Sequence, residues 1–211
     1  MKLSVIIPAH NEEKQIENTL KSFKGKNIEL VIVCNGCTDN TEKIAKRHTK
    51  KVFSVKEANV SKARNFGAKK STGHILVFHD ADTRFSKNYL KEIRKSVQKG
   101  YDYGCARQIP ETKNLWYNLL IKIVNRNSRK YRIFHGNFFI TKELFIKSKG
   151  YNPRLRQFED TDLALRIKGK GNYIYMKNCW IRPSERGFQK KGYFLPIMKI
   201  LIKGTLFMLR K

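Results

Sequence analysis

The sequence predicts an α/β fold in which a mostly parallel sheet is flanked by helices, with an amphipathic helix at the C-terminus. Apolar runs of strand length alternate with amphipathic helical runs in the first half of the chain, polar residues gather where those runs stop, and no repeat, linker or low-complexity stretch divides the sequence. At 211 residues with 40% hydrophobic content, the chain is long enough for one domain with a substantial core.

The elements follow in order. Leu3 to Ile7 reads as the first strand, its apolar run being too short for a signal-peptide core, and a helix is expected around Glu12 to Phe23. Glu29 to Cys34 is a second strand and Thr41 to Arg47 a helix, with Val52 to Val55 and Val60 to Lys70 repeating the pair. His74 to His79 is a strand and Lys87 to Gln98 a helix. Farther on, the pattern is less regular: an amphipathic helix near Leu115 to Val124, a strand near Phe134 to Ile140, and a helix opening at Glu159-Asp160. From Tyr193 to Leu209 the chain is apolar again, but Pro196, Lys199, Lys203 and Gly204 interrupt it too often for a membrane-spanning helix.

Forty-five Lys and Arg against seventeen Asp and Glu give a net charge of +28, a field that attracts phosphates, nucleic acid or anionic lipid. The cations are spread along the whole chain, which argues against a dedicated nucleic-acid arm. Four scattered cysteines do not make a disulfide framework and fit a reduced cytosolic setting. Cys34 and Cys37 have no second pair to complete a zinc site, and both are expected to line a ligand pocket.

In sheets of this kind ligands sit at the carboxyl ends of strands, where the strand order reverses. Three such ends are polar: Pro8-Ala9-His10-Asn11-Glu12-Glu13, Asn35-Gly36-Cys37-Thr38-Asp39, and Asp80-Ala81-Asp82. Residues two apart in extended backbone project to one side, so Asp80 and Asp82 repel each other unless a cation intervenes. A hard divalent ion, Mn²⁺ or Mg²⁺, bridging to a diphosphate relieves that repulsion. Local structure offers other uses for several of these side chains: Asn11 can cap the first helix, Asp39 with Glu42 has capping-box spacing, and Asp82 can cap the helix that follows it. Glu159 and Asp160 suit the positive end of a helix dipole.

The ordered set of motifs resembles family 2 glycosyltransferases with the GT-A fold, a Rossmann-like arrangement. It comprises Val5 to Glu13, Asn35 to Thr41, Ser61-Lys62-Ala63-Arg64-Asn65-Phe66-Gly67-Ala68, Gly73 to Asp82, and Phe158-Glu159-Asp160-Thr161-Asp162-Leu163. The resemblance implies a nucleotide-sugar-binding half at 1–110, an acceptor-side half at 111–190 and an amphipathic tail at 191–211, all in one domain. It implies that Pro8, Ala9, His10 and Glu12 border the nucleoside, that Asp80 and Ala81 meet the ribose, and that Asp82 is the metal ligand. Asn35 stands where many relatives carry an aspartate that reads the base, leaving UDP and GDP donors equally open. Arg64 would reach the donor, unless it belongs to a solvated basic face. Gly136, Asn137 and Glu159 would line the sugar pocket, and Asp160 would be the catalytic base of an inverting, non-processive transfer. No Gln-x-x-Arg-Trp element of processive relatives is present.

Leu115 to Val124 with the basic run Arg126 to Arg132, and the tail from Phe194 to Lys203, have the composition of interfacial segments. They lead to an expected lipid-linked or glycan acceptor of the cell envelope and to a cytoplasmic enzyme held peripherally at an anionic membrane, although packing on the protein explains them as well. A non-enzymatic binder of anionic lipid or nucleic acid would explain the charge alone. A nucleotidyltransferase would need a glycine-rich basic loop where this chain has acidic Glu12 and Glu13.

Overall fold

The structure, a computed structural model, describes residues 1–209; Arg210 and Lys211, the last two residues of the expected tail, lie outside the described residues. In chain order the elements are β1 (Leu3–Ala9), α1 (Ile16–Ser22), β2 (Glu29–Asn35), α2 (Thr41–Lys46), β3 (Val52–Val55), α3 (Val60–Lys70), β4 (Ile75–Phe78), β5 (Arg84–Phe85), α4 (Tyr89–Gln98), β6 (Tyr103–Gln108), α5 (Leu115–Tyr131), β7 (Phe138–Thr141), α6 (Lys142–Lys147), α7 (Glu159–Ile167), β8 (Tyr173–Arg182), α8 (Arg186–Lys191) and α9 (Phe194–Leu209).

One sheet takes strands from the whole chain in the order β3-β2-β1-β4-β7-β6-β8-β5. The four strands β3, β2, β1 and β4 are parallel. β7 runs antiparallel to both β4 and β6, β6 and β8 are parallel, and β5 closes the edge antiparallel to β8. The chain leaves β1 for β2 on one side and later returns to β4 on the other, so the order reverses between β1 and β4. A crevice therefore opens beyond Ala9 and Phe78.

The central strands read as continuous apolar runs because both of their faces are covered. Val5, Ile7, Ile75 and Val77 pack with α1, α2 and α4 on one face, whereas Ile6, Leu76 and Phe78 pack with α3, α6 and α7 on the other. α3 lies close over β1 at Gly67, where an added Cβ would come within 2.5 Å of the Ile6 side chain. A third, smaller cluster of Tyr117, Leu120, Ile121 and Ile197 joins α5 to α9.

Several expectations are corrected. α1 begins at Ile16 rather than Glu12, because Asn11 adopts φ 52° and its side chain accepts the Thr38 N–H at 2.8 Å instead of capping a helix. The capping box at α2 does not form: Asp39 accepts the N–H of Thr41 at 3.0 Å and that of Glu13 at 3.1 Å, while Glu42 turns to Ser54 and Lys46. β7 starts at Phe138, since Gly136 (φ 67°) turns the preceding residues out of the sheet. The helix expected to stop near Val124 runs on to Tyr131 and takes in most of the basic run. β5, β6, α6, β8 and α8 have no counterpart among the elements that the sequence pattern marks. α9 tolerates Pro196 because it falls in the first turn, where no intrahelical N–H is required. Among the described residues no helix is long and apolar enough to cross a membrane.

Candidate active site

The crevice receives charged side chains from α3, α7, α8 and the segments that follow β1 and β4, and they form two clusters joined by the segment Asp80-Ala81-Asp82. The inner cluster centres on Arg64. Asn59 starts α3 by accepting the Lys62 N–H at 3.0 Å, and one turn later the helix buries Arg64 to 3% exposure. Its Nη1 donates to Glu159 at 3.0 Å and Asp160 at 3.1 Å, and its Nη2 to Asp80 at 3.1 Å. Arg64 is therefore neither part of a solvated face nor directed at open space. It is the shared cationic partner of three carboxylates brought together from the segment after β4 and from α7. Burial opposes its charge, but the facing carboxylates, Asp160 foremost, hold its pKa well above the ordinary arginine value.

Asp160 is fixed from several sides. Tyr151 donates its hydroxyl to Oδ1 at 2.9 Å, and the Gly136 N–H donates to Oδ2 at 2.8 Å. Oδ1 also takes the guanidinium, so Oδ2 keeps a lone pair for a further proton. Asp160 lies in the first turn of α7, whose preceding residue Phe158 is left-handed at φ 62°. Burial, with Asp160 close by, raises the pKa of Glu159.

Asp80 is clamped by Asn137, which accepts the Asp80 backbone N–H at 3.0 Å and donates Nδ2 to its carboxylate at 3.0 Å. Asn137 is thus committed to Asp80 and only 2% exposed. Gly136 combines φ 67° with a close approach: an added Cβ would lie 2.3 Å from Asp80 Oδ2. Burial raises the Asp80 pKa against the pull of Arg64, with Asp160 and Asp82 adding to the rise.

The outer cluster is Glu12, Asp82 and Arg186. Arg186 Nη2 lies 2.9 and 2.7 Å from the two Glu12 oxygens and 2.7 Å from Asp82 Oδ2. Two carboxylates from different strand ends therefore converge on one cationic nitrogen. Among the described residues no group of three or more His, Cys, Asp or Glu could hold a metal ion. A hard ion that keeps waters and substrate phosphates needs only one or two carboxylates, however, and Glu12 with Asp82 supplies that set. The oxygen donors fit Mn²⁺ or Mg²⁺, and the guanidinium nitrogen stands where such a cation would balance the charge. Burial raises Glu12 despite its bond to Arg186.

The remaining residues shape the wall. Pro8 and Ala9 are enclosed in β1, and the Ala9 carbonyl accepts Asn35 Nδ2 at 2.9 Å and Cys37 Sγ at 3.3 Å. Asn35 spends its amide nitrogen on that bond and keeps its Oδ1. His10 is exposed, with Nδ1 2.7 Å from the Asn35 carbonyl, and the Ala81 carbonyl accepts the Thr19 hydroxyl at 2.7 Å. Cys34 belongs to the core rather than the pocket, its thiol pushed up to about 12 by burial, with Cys37 adding to the rise; all four cysteines are free. Sequence reasoning missed Arg186 and Tyr151. Neither sits in a recognisable pattern, and each meets its carboxylate only through the tertiary fold.

The profile described as Glycosyl transferase family 2 matches residues 4–162. Glycosyltransferase GlyA of Streptococcus pneumoniae is 30% identical over 197 residues, covering 83% of this chain and 28% of that protein. Among solved structures, Staphylococcus aureus TarS 1–349 superposes with a TM-score of 0.72 at 19% identity, covering 90% of this chain and 63% of that one. The mannosyltransferase PcManGT of Pyrobaculum calidifontis, in complex with GDP-Man and Mn²⁺, gives 0.68 at 22% identity over 90% of this chain and 58% of that one. The similarity shows a GT-A-like fold, and this chain spans well under a third of GlyA's length.

Proposed function

The chain belongs to glycosyl transferase family 2, and from there we propose that it is a metal-dependent, inverting glycosyltransferase. In this reading it moves one hexose from a nucleoside diphosphate sugar to a lipid-linked or glycan acceptor of the cell envelope. The observation that carries the proposal is the division of acidic groups into two clusters with separate partners. Glu12 and Asp82 share one cation, and Asp160 is held by Arg64, Tyr151 and the Gly136 N–H.

Asp82, with Glu12 beside it, would hold Mn²⁺ or Mg²⁺. When bound, that ion neutralises the charge developing on the departing diphosphate. Glu12 and Asp82 would exchange Arg186 Nη2 for that ion, which would leave the Arg186 guanidinium suited to a phosphate. Asp80, kept in place by Asn137, serves the ribose, and Asn35 Oδ1 is left to read a base edge. Asp160 Oδ2 accepts the proton of the acceptor hydroxyl as its oxygen attacks the anomeric carbon from the face opposite the diphosphate. Arg64 does not reach the donor in this scheme; it holds the three carboxylates together and fixes the direction of Asp160.

Peripheral attachment at the inner face of an anionic membrane belongs to the same proposal. It is supported by the exposed Leu115, Trp116 and Leu119 of α5 beside Phe194, Leu195 and Ile202 of α9, set among lysines and arginines. Flotation with anionic vesicles at low salt checks it, and a full chain that stays at the bottom of the gradient would count against it.

The donor is tested by a thermal-shift panel of UDP, GDP, CDP and dTDP with and without Mn²⁺. One nucleotide is expected to raise the melting temperature only when Mn²⁺ is present, because a ligand of the folded state stabilises it. Indifference to all four under both conditions would remove the proposal.

A further inference from the structure

Beside the contact between α5 and α9 lies a cavity of about 410 Å³ with walls that include Ile123 and Val124 of α5 and Leu201 and Met208 of α9. Asn127, Tyr131 and Thr205 add polar groups, and His135, Phe158 and Thr161 also line it. Each of the last three is the chain neighbour of a residue in the inner cluster: Gly136, Glu159 and Asp160 respectively. The mostly apolar cavity is therefore bordered by a residue, Thr161, one step along the chain from the carboxylate assigned to the acceptor proton. Phe158, which stacks on Phe207 with ring centroids 5.5 Å apart, also borders a second cavity of about 680 Å³. That one reaches Glu159 itself and carries Lys191, Lys199 and Lys203. These three lysines are exposed and have no acidic partner among the described residues.

An apolar trough and a row of unpaired cations, meeting at one aromatic ring next to the reacting centre, match a molecule built in the same two parts. We propose that the two cavities together form the acceptor site and that the acceptor is an anionic amphiphile. Its hydrocarbon chain lies between α5 and α9, its phosphate-bearing head lies over Lys199 and Lys203, and its nucleophilic oxygen is delivered to Asp160. The inference rests on the glycosyltransferase reading and names the substrate class of that same site.

Charge decides between this occupant and a second copy of the chain. Neither α5 nor α9 contains an acidic residue, while α9 carries Lys199 and Lys203 and α5 carries Lys122, Arg126, Arg129 and Lys130. Pairing these faces between two copies would set like charges together, whereas a lipid phosphate neutralises them. A neutral glycan would leave Lys199 and Lys203 without a counter-charge, which a lipid phosphate supplies.

Gly204 supplies the test because it faces the shared ring: an added Cβ would lie 3.5 Å from Phe158 Cε1, an ordinary contact, and a larger side chain would fill the trough. The probe is dodecyl phosphate, kept below its micelle concentration and titrated calorimetrically into the full chain, with inorganic phosphate and dodecyl maltoside as comparisons. Dodecyl phosphate is expected to bind one to one, at least about tenfold more tightly than either comparison. Gly204→Phe should weaken it by about tenfold, equivalent to roughly two methylenes left unburied. The double variant Lys199→Ser, Lys203→Ser should weaken it as well, while Gly204→Ala binds like the parent. All three variants should keep the parent's affinity for the nucleoside diphosphate with Mn²⁺, which shows that they fold.

Equal binding of the probe to the parent and to Gly204→Phe overturns the inference. So does equal binding of dodecyl phosphate and dodecyl maltoside, or a dimer in light scattering that Gly204→Phe dissolves. Asp160→Asn separates this inference from the reading beneath it. If Asp160→Asn remains active while the groove variants lose the probe, the catalytic assignment fails and the groove stands; the reverse pattern removes the groove and leaves the catalytic assignment.

Discussion

At Gly136 the backbone takes φ 67° and its α-carbon sits so close to Asp80 that no side chain fits. Gly136→Ala is expected to cost about 1–3 kcal/mol of stability from the left-handed backbone alone. Pushing Asp80 aside should also weaken nucleotide binding, and chemical denaturation alongside calorimetry reads both effects. A similarly local argument applies to Arg186, whose Nη2 occupies the point shared by Glu12 and Asp82. Arg186→Ala should bind Mn²⁺ more tightly than the parent when no nucleotide is present, because the ion no longer competes with a guanidinium. Unchanged affinity in a Mn²⁺ titration followed by electron paramagnetic resonance would contradict this. Asp80, Asp82, Glu159 and Asp160 were legible as candidates because acids two apart or adjacent at element ends form a pattern. Arg186 and Tyr151 were not, since a single residue far along the chain carries no spacing to read. Arg64 was legible as a position, but its burial under three carboxylates was not, because a run with Lys62, Lys69 and Lys70 looks like a solvated face.

Among the elements, the join between β1, β2 and the turn before β4 depends on Glu29. Its carboxylate accepts bonds from Ser4 and Lys51 and, at 2.7 and 2.8 Å, from the Thr72 backbone N–H and hydroxyl. Burial works against ionisation there, but the bonds from Lys51, Ser4 and Thr72 outweigh it and hold the pKa down at about 2 instead of 4.5. A depressed carboxylate stabilises the fold above its unfolded value. That contribution should be full above pH 4.5 and fade as the pH falls toward 2. Glu29→Gln is expected to melt lower at neutral pH and to lose less stability than the parent across that acidic window, as followed by circular dichroism. The strands β1, β2 and β4 were readable because burial on both faces makes them unbroken apolar runs. β6 was hidden by Gly104 and Arg107: Gly104 lies so close to β8 that an added Cβ would approach the Ile174 carbonyl to 2.3 Å. Its pairing with β8 also slips in register between Ala106 and Arg107, so no simple alternation marks either strand.

Over the whole molecule, an acid-rich crevice is set into a chain of net charge +28. In the proposed reading the positive surface would draw in phosphorylated ligands, and the carboxylates at the strand ends would hold the ion and take the proton of the transfer. The parallel half of the sheet was legible from its alternation with helices, whereas the mixed half depends on pairings between distant segments. The claim underlying the whole scheme is that Asp82 and Asp160 do different work on one bound donor. It is tested most directly by measuring Mn²⁺-dependent nucleotide-sugar binding and acceptor transfer in parallel for Asp82→Asn and Asp160→Asn. Asp82→Asn should lose the Mn²⁺-dependent part of binding, while Asp160→Asn should bind the donor like the parent yet transfer it roughly 10²–10⁴-fold more slowly. Parental turnover in both variants, or the same binding defect in both, would contradict that division.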